Sequence, residues 1–296
     1  MGSGWRNQFT AYLYILPLLV VFAVFIVYSL FFLVKTSFIN GDISFLHSTY
    51  VGFDNYRLVL TDVKFFKSIL NNIVFSAATI LISMTLGFII SVFLSQKFKG
   101  SKIIHALFFI PTIMPMALIA TVFSGMLEYR FGALNQFLNA IGLGFLAQQW
   151  LGDPNWAYIS VMAVGIFLIG IPMMYYSADI TTINPSVLEA AVLDGAGMSR
   201  MLWNIVFPLL KNAHITIIIS TLLQSFREFE RIYLMTGGGP GNSTQISSVY
   251  MYNFIHSAGS NIGFVSAGSV VLLLVALVIS FFQLRLYVPS KSKRGK

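Results

Sequence analysis

Four ionisable residues, Arg227, Glu228, Glu230 and Arg231, interrupt an otherwise apolar stretch and are the part of this chain best placed for polar chemistry. The purely apolar part before them, 213–226, is too short to cross a bilayer, so a membrane helix there must continue through the charges to Met235. Ionisable groups at that depth face a protein interior or a water-filled cavity, because lipid exposure is unfavourable. A spacing of four sets Gln224 beside Glu228, and Arg227 beside Arg231, on shared helix faces. Two uses fit this set. Gln224, Arg227, Glu228 and Glu230 can line a polar pathway, or Arg227 can pair with Glu230 or Glu228 as a structural ion-pair network.

Other reactive patterns are missing. The chain has no cysteine, hence no disulfide and no thiolate metal site, and its compartment stays undecided on that ground. His47, His105, His214 and His256 show no metal-ligand spacing and read as structural, so no metal site is expected. Gly237-Gly238-Gly239-Pro240-Gly241 resembles a phosphate cradle only in its glycines, since no Lys-Ser/Thr follows, and no nucleotide-binding P-loop occurs elsewhere. A membrane transferase would need a His/Asp or metal-binding cluster at an interface. No catalytic residue and no cofactor on this chain is therefore expected.

The elements that must hold these residues follow from composition. Of 296 residues, 57% are hydrophobic and 9% charged, against roughly 25% charged in soluble domains. The apolar residues come in blocks that predict six transmembrane helices at about 11–35, 70–95, 103–127, 156–178, 212–235 and 264–288, because crossing hydrocarbon takes about 20 helical residues. Runs this long without period-two alternation exclude a β-barrel. The first block is longer than a signal-peptide core and no small-residue cleavage site follows it, so it is expected to be retained. The expected class is all-α, a single polytopic membrane domain over 1–296. Pro111, Pro115 and Pro172 are expected to kink their helices.

An even helix count puts both ends on one side. That side collects Arg6, Lys97, Lys99, Lys102, Arg200, Lys211, Lys291, Lys293, Arg294 and Lys296. The other side mixes Arg57, Lys64, Lys67 and Arg130 with Asp42, Asp54, Asp62, Glu128 and Asp153. The positive-inside rule then places both termini in the cytoplasm. The cations flank membrane segments and build no surface of their own, so the net charge of +8 does not indicate nucleic-acid binding. The outer connections fall near 36–70, 128–155 and 236–262, and the cytoplasmic ones near 96–102 and 179–211. Trp5, Trp150, Trp156 and Tyr287 sit where interfacial aromatic anchors belong.

The longer cytoplasmic connection is more elaborate than a reversal requires. Asn184-Pro185-Ser186 favours a turn, with Ser186 as N-cap and Glu189 three residues on completing a capping box. A helix over 187–194 should end at Gly195 in the left-handed conformation, and an amphipathic run over 198–207 returns to the membrane before Pro208. Ala190 and Ala191 permit close approach of another backbone, and Glu189, Asp194 and Arg200 offer polar anchors. The plainer alternative is an amphipathic helix lying on lipid.

Glu189-Ala190-Ala191, three residues, Gly195, nine residues, Ile205 and Pro208 resembles the EAA loop of permease subunits of bacterial ABC importers, with Phe207 where that family usually has leucine. Further segments, in order, are similar to sugar-importer permeases of the maltose and glycerol-phosphate type. They are Tyr14-Ile15-Leu16-Pro17, Val51-Gly52-Phe53-Asp54-Asn55-Tyr56, Leu107-Phe108-Phe109-Ile110-Pro111, Trp150-Leu151-Gly152-Asp153-Pro154 and Tyr233 through Gly241.

The resemblance implies an ABC importer type I permease fold and a bacterial cytoplasmic-membrane subunit. It implies that this subunit pairs with a second permease, usually as a heterodimer, and works with two ATPase subunits that carry ATP and Mg. An extracytoplasmic solute-binding protein would deliver a sugar. On this reading Glu189, Ala190, Ala191, Asp194, Gly195, Arg200, Ile205 and Pro208 form the coupling loop. Gln224, Arg227, Glu228, Glu230 and Tyr233 face the substrate pathway, with Phe226, Phe229 and Tyr233 able to stack on pyranose rings. Gly237, Gly238, Gly239 and Pro240 meet the binding protein, or else form a plain turn. The competing transport class, an ion-gradient-driven secondary transporter, predicts inverted repeats and an acidic relay near mid-membrane. The chain shows no convincing repeat between its halves, and its intramembrane acids cluster at one end of one helix.

Overall fold

The computed structural model describes residues 3–287 apart from 46, 97 and 258–260. Lys97, Lys291, Lys293, Arg294 and Lys296 lie outside the described residues, as do the side chains of Trp5, Arg6 and Tyr287. The rest is almost wholly helical. Three helices are long and apolar enough to cross a membrane unbroken, Tyr12–Ser37, Val63–Ser95 and Ile262–Phe282, and three further candidates are helix pairs bent at a short break. The chain divides into two compact units, Met1–Phe65 with Met251–Leu274, and Phe66–Tyr250 with Val275–Lys296.

In the first unit a short antiparallel ribbon, β1 (Ile39–Asn40) and β2 (Thr49–Tyr50), follows the first helix. It is a small exception to the all-α expectation. The motif from Val51 to Tyr56 has a physical role here. Gly52 turns the chain with φ +57°, and Phe53 and Tyr56 pack on Phe38. Asn55 is buried and donates to the carbonyls of Ser37 (2.9 Å) and Ile39 (2.8 Å), while its Oδ1 accepts from Asn261 (3.0 Å). Gly263 has no room for a Cβ, which would collide with Ile39 O.

In the second unit, proline marks two bends in the helices, as the sequence leads one to expect. Ser101–Ile113 and Met116–Met126 meet at 101°. Pro115 lies at the corner and forces Met114 into extended backbone (ψ 145°), while Pro111 sits in the last turn before it. Pro154–Leu168 and Gly170–Ile180 bend by 42° at Ile169, on the N-terminal side of Pro172, where its ring crowds the carbonyl four residues back and leaves it without an N–H partner. Gly170 lets this helix approach the other closely, since a Cβ there would lie 2.5 Å from Phe108 O and 2.7 Å from Thr112 Cγ2. Asp153 caps Pro154–Ala163 by accepting from Asn155 N (2.8 Å), with Pro154 in the first turn, which accounts for the Trp150-to-Pro154 motif. Trp150 donates to Asn135 (2.7 Å) and stacks edge-on against Trp156.

Two buried clusters organise this unit. One gathers Phe75, Ile119, Ala120, Val161, Val164, Ile232, Met235, Ile246 and Val249. The other gathers Phe88, Tyr176, Val206, Leu210, Ala213 and Ile217.

Candidate functional site: a cavity at a broken helix and an exposed helical hairpin

The helix that carries the charges does not run through them. Lys211–Arg227 stops, Glu228 and Phe229 leave the helical conformation (φ/ψ −62/129° and −145/−57°), and Glu230–Thr236 begins anew. This corrects the expectation of one continuous helix to Met235. A break exposes backbone carbonyls that need donors, and distant side chains supply them. Asn72 Nδ2 donates to Ser225 O (2.9 Å), and Ser248 Oγ donates to Glu228 O (2.5 Å). Asn72 Oδ1 also accepts from Ser247 N (2.8 Å), and the hydroxyls of Ser76 and Ser225 are in contact. Sequence reasoning passed over Asn72. Its signal is an amide in an apolar block, where an unpaired polar group would be unfavourable.

The break also redistributes the charges. The ion pair is Glu228 with Arg231 (2.8 Å), whose side chains are 6% and 3% exposed, and not Arg227 with Glu228 or Glu230. The Arg231 guanidinium lies 4.7 Å from the centroid of the Phe75 ring, an arrangement that favours a desolvated cation. Its Nε and Nη1 have no hydrogen-bond partner among the described residues.

Two cavities open on the break. The larger, about 600 Å³, is lined by Met116, Ser220, Leu223, Gln224, Arg227, Glu228, Phe229 and Glu230. The smaller, about 240 Å³, reaches Arg231 and is bounded by residues including Phe75, Thr79, Ser83, Tyr175, Gln224 and Glu228. Gln224, Arg227, Glu228 and Glu230 are thus brought around one space of ligand-binding size. Tyr233 stacks on Phe229 at 5.0 Å and packs against the Phe75 cluster, away from the lining of either cavity. No group of three or more His, Cys, Asp or Glu able to hold a metal occurs among the described residues.

Beyond Glu230–Thr236 the glycine loop is an ordered turn. Gly237 (φ +63°) and Gly238 (φ +91°) take left-handed backbone. Thr244 bonds both Thr236 Oγ1 (2.7 Å) and Gly239 O (2.8 Å), closing the loop around Pro240.

The second candidate region is the hairpin after Ile180. Its first helix is Pro185–Leu193, one or two residues earlier than expected, and its N-cap is Asn184, whose Oδ1 accepts from Ser186 N (3.1 Å). Ser186 is therefore not the cap. Pro185 takes the first helical position, where a missing N–H does no harm, and that moves the cap back to Asn184. The helix ends as expected at Gly195 (φ +76°). Gly195 N bonds Val192 O (3.0 Å) and Ala196 N bonds Ala191 O (2.9 Å), the paired bonds of a Schellman stop.

The return segment Met198–Leu209 has a π-helical turn at Leu202–Val206, where Phe207 N reaches back to Leu202 O. The wider register accommodates Pro208, which has no N–H to give. Ala191 is buried, while Glu189, Ala190, Asp194, Gly195, Arg200 and Pro208 are exposed and Ile205 is half-buried. Leu193 at the tip is 89% exposed. Leu188, Glu189, Val192, Leu193 and Met201 line an open groove of about 510 Å³. An apolar tip beside an exposed carboxylate is a surface suited to another protein.

Comparison with known proteins adds the following. Residues 83–288 match the family described as binding-protein-dependent transport system inner membrane component. A probable ABC transporter permease of Bacillus subtilis is 31% identical over 291 residues, covering 97% of this chain and 99% of the relative. A trehalose/maltose transport system permease of Thermococcus litoralis is 31% identical over 280 residues, covering 94% and 92%. Among solved structures, a bacterial ABC transporter involved in the import of the acidic polysaccharide alginate superposes with TM-score 0.80 at 22% identity, over 95% of this chain and 96% of that one.

Proposed function

This chain belongs to the family of inner membrane components of binding-protein-dependent transport systems, and we propose that it forms half of the pathway of an ABC importer for a carbohydrate. Relatives named for trehalose/maltose, multiple sugars and diacetylchitobiose support a sugar cargo. The observation that carries the pathway reading is the broken helix, which sets Gln224, Arg227, Glu228 and Glu230 around one cavity. These groups offer donors and acceptors to hydroxyls at a depth where water is scarce, and the unpaired Nε and Nη1 of Arg231 extend the donor set.

The energy source lies on other chains. The Pro185–Leu209 hairpin is the docking element, with Glu189 and the exposed Leu193 entering a cleft of an ATPase subunit that binds ATP and Mg. A second permease completes the pathway, and a solute-binding protein meets the Gly237–Pro240 turn. Both termini lie in the cytoplasm on this reading.

Reconstitution with the second permease, the ATPase and the binding protein should give ATP-dependent sugar uptake. Uptake driven by an ion gradient without any ATPase subunit would instead establish the secondary-transporter class. Alanine at Gln224, Arg227 or Glu230 should alter transport kinetics and substrate-stimulated ATP hydrolysis. Unchanged values in all three would remove the cavity from the pathway.

A further inference from the structure

The docking hairpin and the helix that carries the cavity meet at a bend. Met198–Leu209 and Lys211–Arg227 join at Leu210 with an angle of 67°. A bend of this kind can flex, and a push on one arm reaches the other only if something braces the corner. His214, one turn into the second arm, does so. Its Nε2 lies 2.8 Å from Phe207 O, in the last turn of the first arm. Its Nδ1 lies 2.7 Å from the hydroxyl of Tyr176, a wholly buried residue on another helix, Gly170–Ile180. A carbonyl can only accept, so Nε2–H donates to Phe207 O, and Nδ1 accepts a hydrogen bond from the Tyr176 hydroxyl. Both nitrogens of a neutral ring are thereby engaged.

A second tie runs alongside. Asp179, one turn beyond Tyr176, accepts from the backbone N–H of Ala213 (2.9 Å), a donor left over at the start of the second arm. The His214 ring packs 4.2 Å from Phe207 and 5.3 Å from Tyr176. Three helices therefore converge on one imidazole, and four residues of the arm that carries His214 (Ser220, Leu223, Gln224 and Arg227) line the cavity.

We propose that His214 is a positioning residue for transport: it bolts the returning arm of the hairpin to Lys211–Arg227 and Gly170–Ile180, so that displacement of the hairpin reaches the cavity instead of being absorbed at Leu210. The proposal rests on the reading of this chain as an ATPase-coupled permease. A histidine that only fills space would contribute to stability but would not decide whether the arms move together.

The chain has no cysteine, so nitroxide labels can be placed cleanly at Asn204→Cys and Ile218→Cys, one on each arm. The distance between them is read in the complete reconstituted transporter, without nucleotide and after trapping with ATP and vanadate. One narrow distance, the same in both states, is expected for the otherwise unaltered protein. His214→Phe keeps the ring packing and loses both hydrogen bonds; its distance should shift or broaden on trapping, and ATP hydrolysed per maltotriose imported (or per molecule of any sugar the reconstituted system carries) should rise roughly five-fold or more. Asp179→Asn retains an acceptor and should stay near the unaltered protein. If His214→Phe does not assemble, Tyr176→Phe, which removes one hydroxyl, carries the same test.

Arms that stay rigid in the variants, or that already move apart in the unaltered protein, overturn the proposal. Failure of the unaltered transporter to trap nucleotide at all overturns the ATPase-coupled reading itself, and the proposal with it.

Discussion

The exposed hairpin at 184–209 and the broken helix at 224–231 are both departures from a plain membrane helix, yet they are built in opposite ways. The hairpin is written locally. Its start is Asn184-Pro185, its stop is Gly195, and its partners are a few residues away in sequence. The break has no glycine or proline. Its exposed carbonyls are met by Asn72 and Ser248, which lie 153 and 20 residues from the groups they satisfy. An element made of short-range bonds keeps its shape when its surroundings change, which suits a docking arm. One made of long-range bonds depends on the packing of its neighbours, and that suits a site that must change with the conformation of the whole transporter.

The contrast can be broken most forcefully at the ion pair. Glu228→Gln leaves the buried Arg231 without its carboxylate and should destabilise the protein by about 3–5 kcal/mol, read as a large drop in thermal midpoint in detergent. Pairing it with Arg231→Met should recover most of that loss. A mild effect of Glu228→Gln alone would mean that the pair is solvated and the cavity wetter than its walls imply.

Next comes Asn72→Ala, which strips the donor from Ser225 O and the acceptor from Ser247 N and should cost about 1–3 kcal/mol. It should also alter transport while leaving the hairpin's docking to the ATPase unchanged. Gly195→Val places a β-branched residue at φ +76° and should cost about 1–2 kcal/mol locally. Membrane insertion should survive, and ATP hydrolysis should continue with little transport. Coupling that stays normal in this variant would refute the role given to the hairpin.

The smallest effect sharpens the boundary of the hairpin. Asn184→Ala should lose about 1 kcal/mol of helix stability, whereas Ser186→Ala should be close to neutral, measured by hydrogen exchange across 187–193. The reverse order would restore Ser186 as the cap.

Much of the architecture could be read before any coordinates, and the reasons differ by region. Six apolar blocks are legible because hydrocarbon demands unbroken apolar length. Gly195 is legible because few residues other than glycine take left-handed backbone readily. The corner at Met114–Pro115 is legible in part, since proline disfavours a helical residue before it, although sequence does not say whether the result is a kink or the observed 101° turn. The N-cap was misplaced by two residues because Asn184 and Ser186 are both good caps, and only the position of Pro185 in the first turn decides between them.

Read alone, the chain already shows a helical membrane protein with a capped and glycine-stopped hairpin between its fourth and fifth apolar blocks. These properties follow from composition and from short-range stereochemistry, which act wherever the segment is placed. Tertiary packing alone fixes that the fifth apolar block breaks at Glu228, that Arg231 and not Arg227 holds the buried carboxylate, that Tyr233 packs against the core, and that His214 joins Phe207 to Tyr176. Each of these depends on a donor, acceptor or ring brought from another helix. The free energy that selects them resides in pairs of residues distant in sequence, and no local pattern encodes a pair.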